Sequence, residues 1–330
     1  MKKFSIVVLI LAVLTACSKS TSPGDSPPLE KDSVPQVKTK FLIPVFPDTQ
    51  ETMVHRQAMF FSQVRWIARA KDSLNIPLAL HVGDLVNFDT VTHFQFASRV
   101  MGVLDSANVP YAIAIGNHDT EAVLWNSGSA APGNTNVNLR KTTKFNTYFP
   151  TTRFKLLKGV YQPNKADNGY HFFEAGGKKW IVINLEFCAR PGAARWADSI
   201  IGANPTRNAI VITHYHLTSA GRIATSNAGY GDMKVLDVFN NHLKKHKNLM
   251  MILSGHVCYN SSRTDMGTQG NAIYSVLQDY QCKDGGGGYL RLLEIDTKAG
   301  TITGKMYSPY YNQFLGDSAT VSFHNVRFVN

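Results

Sequence analysis

Tyr111-Ala112-Ile113-Ala114-Ile115-Gly116-Asn117-His118-Asp119 is an uninterrupted apolar run that ends in a glycine, a carboxamide, an imidazole and a carboxylate. An apolar run of this length suits a strand covered on both faces. Polar residues at its carboxyl end fall where open α/β sheets bind ligands. Four other runs repeat the pattern. Residues 41–46 lead into Asp48 and Gln50, 77–82 into Gly83-Asp84, 209–213 into His214-Tyr215-His216, and 249–253 into Gly255-His256-Val257-Cys258. Each polar residue alone has an ordinary explanation as a cap, a turn residue or a satisfied histidine. Five such exits in one chain point instead to one shared site.

Working outward, helical patterns at 53–74, 91–106, 192–201 and 233–245 separate several of these runs, which is an α/β alternation. A further strand is expected at 180–185. Stretches at 271–280, 288–296, 301–307 and 319–329 are β-rich and predict a second, more antiparallel sheet in the C-terminal third. Residues 121–168, rich in Gly, Asn, Thr and Pro, read as a long insertion over one rim.

With 330 residues, 44% of them hydrophobic and 17% charged, the chain is globular and carries a large core. The formal charge is +11. The excess is scattered, and its densest run, Lys244-Lys245-His246-Lys247, reads as a solvated helix end, so no nucleic-acid partner is expected. At the N-terminus, Met1-Lys2-Lys3 and an apolar run are followed by Leu14-Thr15-Ala16-Cys17, a secretory signal too short to span a membrane. These four residues resemble the bacterial lipobox, which implies cleavage after residue 16 and lipidation of Cys17. Residues 17–40, with Pro23, Pro27, Pro28 and Pro35, then form a flexible tether, and 41–330 form the folded domain. The expected location is the cell envelope, lipid-anchored, in the periplasm or at the outer membrane, with the domain monomeric.

In their order and content, Asp48-Thr49-Gln50, Gly83-Asp84, Gly116-Asn117-His118-Asp119, His214 and Gly255-His256-Val257-Cys258 resemble the calcineurin-like metallophosphoesterase superfamily over roughly residues 41–310. That resemblance implies a four-layer αββα sandwich of two mixed sheets with a dinuclear metal site. It further implies that Asp84 bridges both metals, that Asp48 binds the first, and that Asn117, His214 and His256 bind the second. His118 would face the substrate, with Asp119 orienting it. The cofactors implied are two divalent ions of manganese, iron or zinc, and the activity is hydrolysis of a phosphate monoester or diester by a metal-activated hydroxide.

Two positions depart from the family pattern, both at the first metal. Gln50 stands where a histidine is usual and still offers a carbonyl oxygen. Cys258 replaces the last histidine; it is either a thiolate ligand favouring softer metals or half of a disulfide with Cys282. His216 is expected on the same side of its strand as His214, as a spare ligand. Asn87 occupies the place of the tyrosinate used by purple acid phosphatases, so a tyrosinate ligand at that position is excluded. The competing reading is a binding protein of the same fold with one metal site and impaired catalysis.

Overall fold

The computed structural model describes residues 38–330 except 129 and 283. The leader, the lipobox and nearly all of the tether lie outside the described residues. No helix among the described residues is long and apolar enough to cross a membrane.

The strands are β1 (Lys40–Phe46), β2 (Ala79–His81), β3 (Tyr111–Ile113), β4 (Leu157–Val160), β5 (Gly169–Ala175), β6 (Lys178–Asn184) and β7 (Asn208–Ile212). They continue as β8 (Leu249–Ser254), β9 (Tyr259–Met266), β10 (Ala272–Asp279), β11 (Leu290–Asp296), β12 (Thr301–Ser308), β13 (Gln313–Phe314) and β14 (Val321–Phe323). The helices are α1 (Gln50–His55), α2 (Gln57–Ala70), α3 (Val91–Ser106), α4 (Thr135–Asn138), α5 (Thr143–Tyr148), α6 (Pro191–Gly202) and α7 (Val235–Val238), the last running into a π-turn at Phe239–Leu243.

One sheet has the order β13-β12-β11-β1-β2-β3, with β14 on β12; the other runs β4-β5-β6-β7-β8-β10-β9. In the first, β1, β2 and β3 are parallel and β11 pairs antiparallel with β1. In the second, β6, β7, β8 and β10 are parallel, and β5 and β9 are antiparallel. Both sheets are mixed, as the resemblance implies. The C-terminal third does not make a sheet of its own: β9 and β10 extend the second sheet, and β11 to β14 complete the first. The strands are antiparallel in part, as their composition suggests, but periodicity carries no information about which sheet edge a strand joins.

Side-chain alternation builds the four layers. Phe41, Ile43 and Val45 of β1 meet Trp180 and Val182 of β6 between the sheets. Leu42 and Phe46 face the layer of α2, α3 and α5, and Ile181 and Ile183 face α6 and α7. Residues 121–168 are more ordered than loop composition suggests. They contain a bridge between Val123 and Ala130, α4, α5 and β4.

Candidate metal centre

The parallel strands β1, β2, β3, β7 and β8 all end at one edge, where the chain must leave the sheet. Asp48, Asp84, Asn117, His214 and His256 come together there, all buried except the slightly more open His256. Single ligand atoms of Asp84, His214 and His256 lie within 4.8 Å of one another. His214 Nε2 is 3.1 Å from Asp84 Oδ2 and 3.9 Å from Asp48 Oδ2.

The local backbone is built for this convergence. Asp84 (φ 50°) and His256 (φ 69°) both adopt the left-handed conformation, which costs a non-glycine residue energy. The glycines beside them leave room. A Cβ on Gly116 would stand 2.1 Å from Asp84 Oδ1, and one on Gly255 would stand 2.0 Å from Asp48 Oδ1. Asp48 accepts from the His256 amide at 3.0 Å, which ties the exits of β1 and β8 together.

Hydrogen bonds define the tautomers. His214 Nδ1 donates to the Val82 carbonyl at 3.0 Å, which turns its Nε2 toward the two carboxylates. His118 Nδ1 donates to the Asn87 carbonyl at 2.6 Å, and its backbone amide donates to Asp84 Oδ1 at 3.0 Å. Its Nε2 is thus the atom available to a substrate. Asp119 does not orient the His118 ring, as the resemblance implies; its carboxylate accepts from the amides of Val86 and Gly116 at 3.0 and 2.9 Å. The residue that aims His118 is Asn87, through an atom whose role no side-chain pattern reveals.

Electrostatics favour a cation. Burial, then Asp279 and Asp84, push the Asp48 carboxyl well up from its usual range. Burial and Asp84 push Asp119 up to about 7. Burial opposes ionisation of Asp84, but His214 and His118 outweigh it and hold that carboxyl low. Burial, reinforced by His214, lowers His256 to about 3, so it is a neutral imidazole suited to ligation. Gln50 Oε1 and Asn117 Oδ1 are buried without a hydrogen-bond partner. Orphaned acceptors in a buried nest of carboxylates are costly without a metal and natural with one. The donor set therefore fits divalent cations.

Two possible additional ligands, Cys258 and His216, lie elsewhere. Cys258 is bonded to Cys282 and offers no thiolate. His216 bonds Ser275 Oγ at 3.1 Å and packs on Phe239, among side chains on the helix-covered face of the second sheet. Strand alternation fails to predict this because β7 ends at Ile212, before either histidine. His81 stacks on Phe46 and bonds Thr49, a supporting role. Glu186 is held by Arg190 and Arg140 and fixes the loop that carries Phe187 against His256. Cys188, the other cysteine of the folded part, is free and buried.

At this edge sequence reasoning misses Tyr230 and reads Gln278-Asp279-Tyr280-Gln281 only as a stretch able to reach the rim, with low specificity. Asp279 ends β10, which runs parallel to β8, so it is a sixth strand exit. The Leu277-Gln278-Asp279 exit carries no glycine, the signal that marks three of the others. Tyr230 comes from the loop before α7 and packs edge-on against Phe187 and His256.

Fold and site together define a two-sheet protein with a metal cup at its strand ends. The chain belongs to the calcineurin-like phosphoesterase family, whose model matches residues 45–260. It is similar to the uncharacterized protein YvnB of Bacillus subtilis (strain 168), at 27% identity over 291 residues. That match covers 85% of this chain and 21% of YvnB, so the chain spans about a fifth of its relative. The solved purple acid phosphatase PPD1 from yellow lupin (Lupinus luteus) seeds has a TM-score of 0.53 at 13% identity, covering 88% of this chain and 54% of that one. NAD nucleotidase (NadN) from Haemophilus influenzae has a TM-score of 0.47 at 13% identity, with coverage of 86% and 50%.

Proposed function

We propose that the chain hydrolyses a phosphate monoester or diester at the bacterial cell envelope, held there by a lipid on Cys17. The observation that supports hydrolysis most is His118. Its ring is aimed by the Asn87 carbonyl, and its backbone is fixed to Asp84, so Nε2 faces the cup in one orientation. A protein that only bound metal would have no need of this. Divalent cations held by Asp48, Gln50 and Asp84, and by Asp84, Asn117, His214 and His256, would neutralise phosphoryl oxygens and make water a nucleophile at neutral pH. His118 Nε2 then supplies the proton to the departing oxygen, and Asp119 keeps the β2 and β3 exits in register.

Asp84→Ala should remove most bound metal and nearly all hydrolysis of an aryl phosphate. His118→Ala should keep the metal and lose turnover by about 10²- to 10⁴-fold. An Asp84→Ala protein with wild-type metal content and turnover would overturn the assignment. The loss of Cys258 as a donor favours the second reading, a binding protein with one metal. That reading is distinguished by one equivalent of metal per chain and no turnover in the wild type.

The address is tested separately. Cys17→Ala should move the protein from the membrane to the soluble fraction with its hydrolysis intact, because the polar, proline-containing tether transmits no strain to the site. A variant that stays membrane-bound contradicts the lipobox reading.

A further inference from the structure

We infer that Phe88 and Trp125 form an aromatic platform for the leaving group, so that the ester hydrolysed is one whose departing alcohol carries a flat aromatic ring, a nucleobase or an aryl group. The inference rests on the hydrolase reading, with His118 as the proton donor.

Three rings cluster beside His118. The Phe88 ring lies 6.1 Å from the His118 imidazole and 4.9 Å from the Trp125 indole. His93 closes the cluster, 5.9 Å from each of Phe88 and Trp125. Its Nδ1 accepts from the Phe88 amide at 3.1 Å, which ties Phe88 to α3 and keeps that nitrogen unprotonated. Phe88 directly follows Asn87, whose carbonyl aims His118. One short stretch of chain therefore places both the proton donor and the first ring of the platform.

Trp125 sits on the tip that follows the β3 exit, and the base of that tip is fixed. Ala122 and Val123 are buried, Val123 bridges Ala130, and the Ala131 amide donates to the Ala122 carbonyl at 2.7 Å. The tip comes close to the proton donor: a Cβ on Gly128 would stand 4.0 Å from His118 Cε1. Trp125 is 54% exposed, whereas Trp180, which fills the core between the sheets, is fully buried. An indole present only for packing would be covered; this one is backed by two rings and keeps half its surface in solvent.

Position and charge decide what it meets. With the phosphoryl group at the metals and the departing oxygen at His118 Nε2, the part of the substrate beyond that oxygen is what reaches Phe88 and Trp125. The carboxylates that flank these rings in sequence are paired, Asp89 with Lys144 and Glu121 with Lys141. The platform thus offers aromatic faces rather than charge, which a flat ring stacks on and a leaving group ending in a further phosphate does not use.

The experiment measures kcat/KM of wild type, Trp125→Ala, Trp125→Leu and Trp125→Phe on two pairs of substrates, each as monoester and as methyl diester. Adenosine monophosphate is paired with ribose phosphate, and phenyl phosphate with glycerol phosphate. Each variant is compared with wild type on the same substrate, so differences in leaving-group reactivity cancel. Trp125→Ala and Trp125→Leu should lower the ratio of ring-bearing to ringless kcat/KM by about 5- to 100-fold, the range for a base stacked on one aromatic side chain. Trp125→Phe should restore most of that ratio. A fall in the adenosine pair alone identifies a nucleoside, and a fall in the phenyl pair alone an aryl group. Equal losses on every substrate mark a structural role and overturn the inference, as do unchanged ratios or a wild type that turns over only the ringless esters. If Trp125→Ala does not fold, Trp125→Leu carries the same comparison. A wild type that hydrolyses none of the esters fails the hydrolase reading and this inference with it, whereas hydrolysis with unchanged ratios fails the inference alone.

Discussion

At the scale of single residues, the cup depends on absent side chains as much as on present ones. Gly255 approaches Asp48 so closely that a methyl group would stand 2.0 Å from Oδ1 and 3.0 Å from Val82 Cγ2. Asp48 cannot swing away without losing the His256 amide. Gly255→Ala should therefore lower stability by about 1–3 kcal/mol, the usual cost of overpacking, and also weaken metal binding. Melts with and without metal read both effects. A variant that lost neither would mean the Asp48 loop is soft.

At the scale of elements, the β5–β6 hairpin carries a built-in acid sensitivity. His171 on β5 is fully buried and donates through Nε2 to Asn184 on β6, and burial lowers its imidazole to about 4. In the unfolded chain a histidine titrates near 6.5. Between those values the unfolded state binds more protons, so stability present above pH 6.5 is lost as the pH falls toward 4. His171→Gln should remove roughly 2 kcal/mol of the wild-type loss between pH 7 and pH 5. Urea titrations at the two pH values measure this, and equal losses in both proteins would show that the ring is hydrated in solution.

At the scale of the whole molecule, the two sheets are joined by polar contacts as well as by the apolar layer between them. Arg291 on β11 is fully buried, reaches Gln278 on β10 of the other sheet at 2.8 Å, and donates to the carbonyls of Gly304 and Ala319 at 3.1 and 3.0 Å. Burial pushes its guanidinium down to about 10, so it remains charged at neutral pH. Arg291→Ala strips the donor from three buried acceptors and should cost roughly 3 kcal/mol or more. Denaturant unfolding would show it, and a change below about 0.5 kcal/mol would mean that the sheets hold by apolar packing alone.

The sequence by itself determined the strand exits and the chemistry they carry. Apolar runs such as 111–115 and 249–253 are legible because burial on both faces demands them, and Gly116 and Gly255 are legible because the backbone must pass close to a carboxylate. Helix α3 runs over 91–106 as its spacing predicts. Only the tertiary structure decided which atoms share the cup. His216 follows His214 by two residues yet faces the other side of the sheet, because the strand has already ended. Gln281 lies more than two hundred residues from Asp48 and reaches it because β10, which it follows, pairs parallel with β8. Cys258 became a brace because Cys282 folds back upon it. Local sequence sets what each strand end offers; the order of strands in the sheets sets which offers meet, and that order is fixed by long-range packing that no short window of sequence encodes.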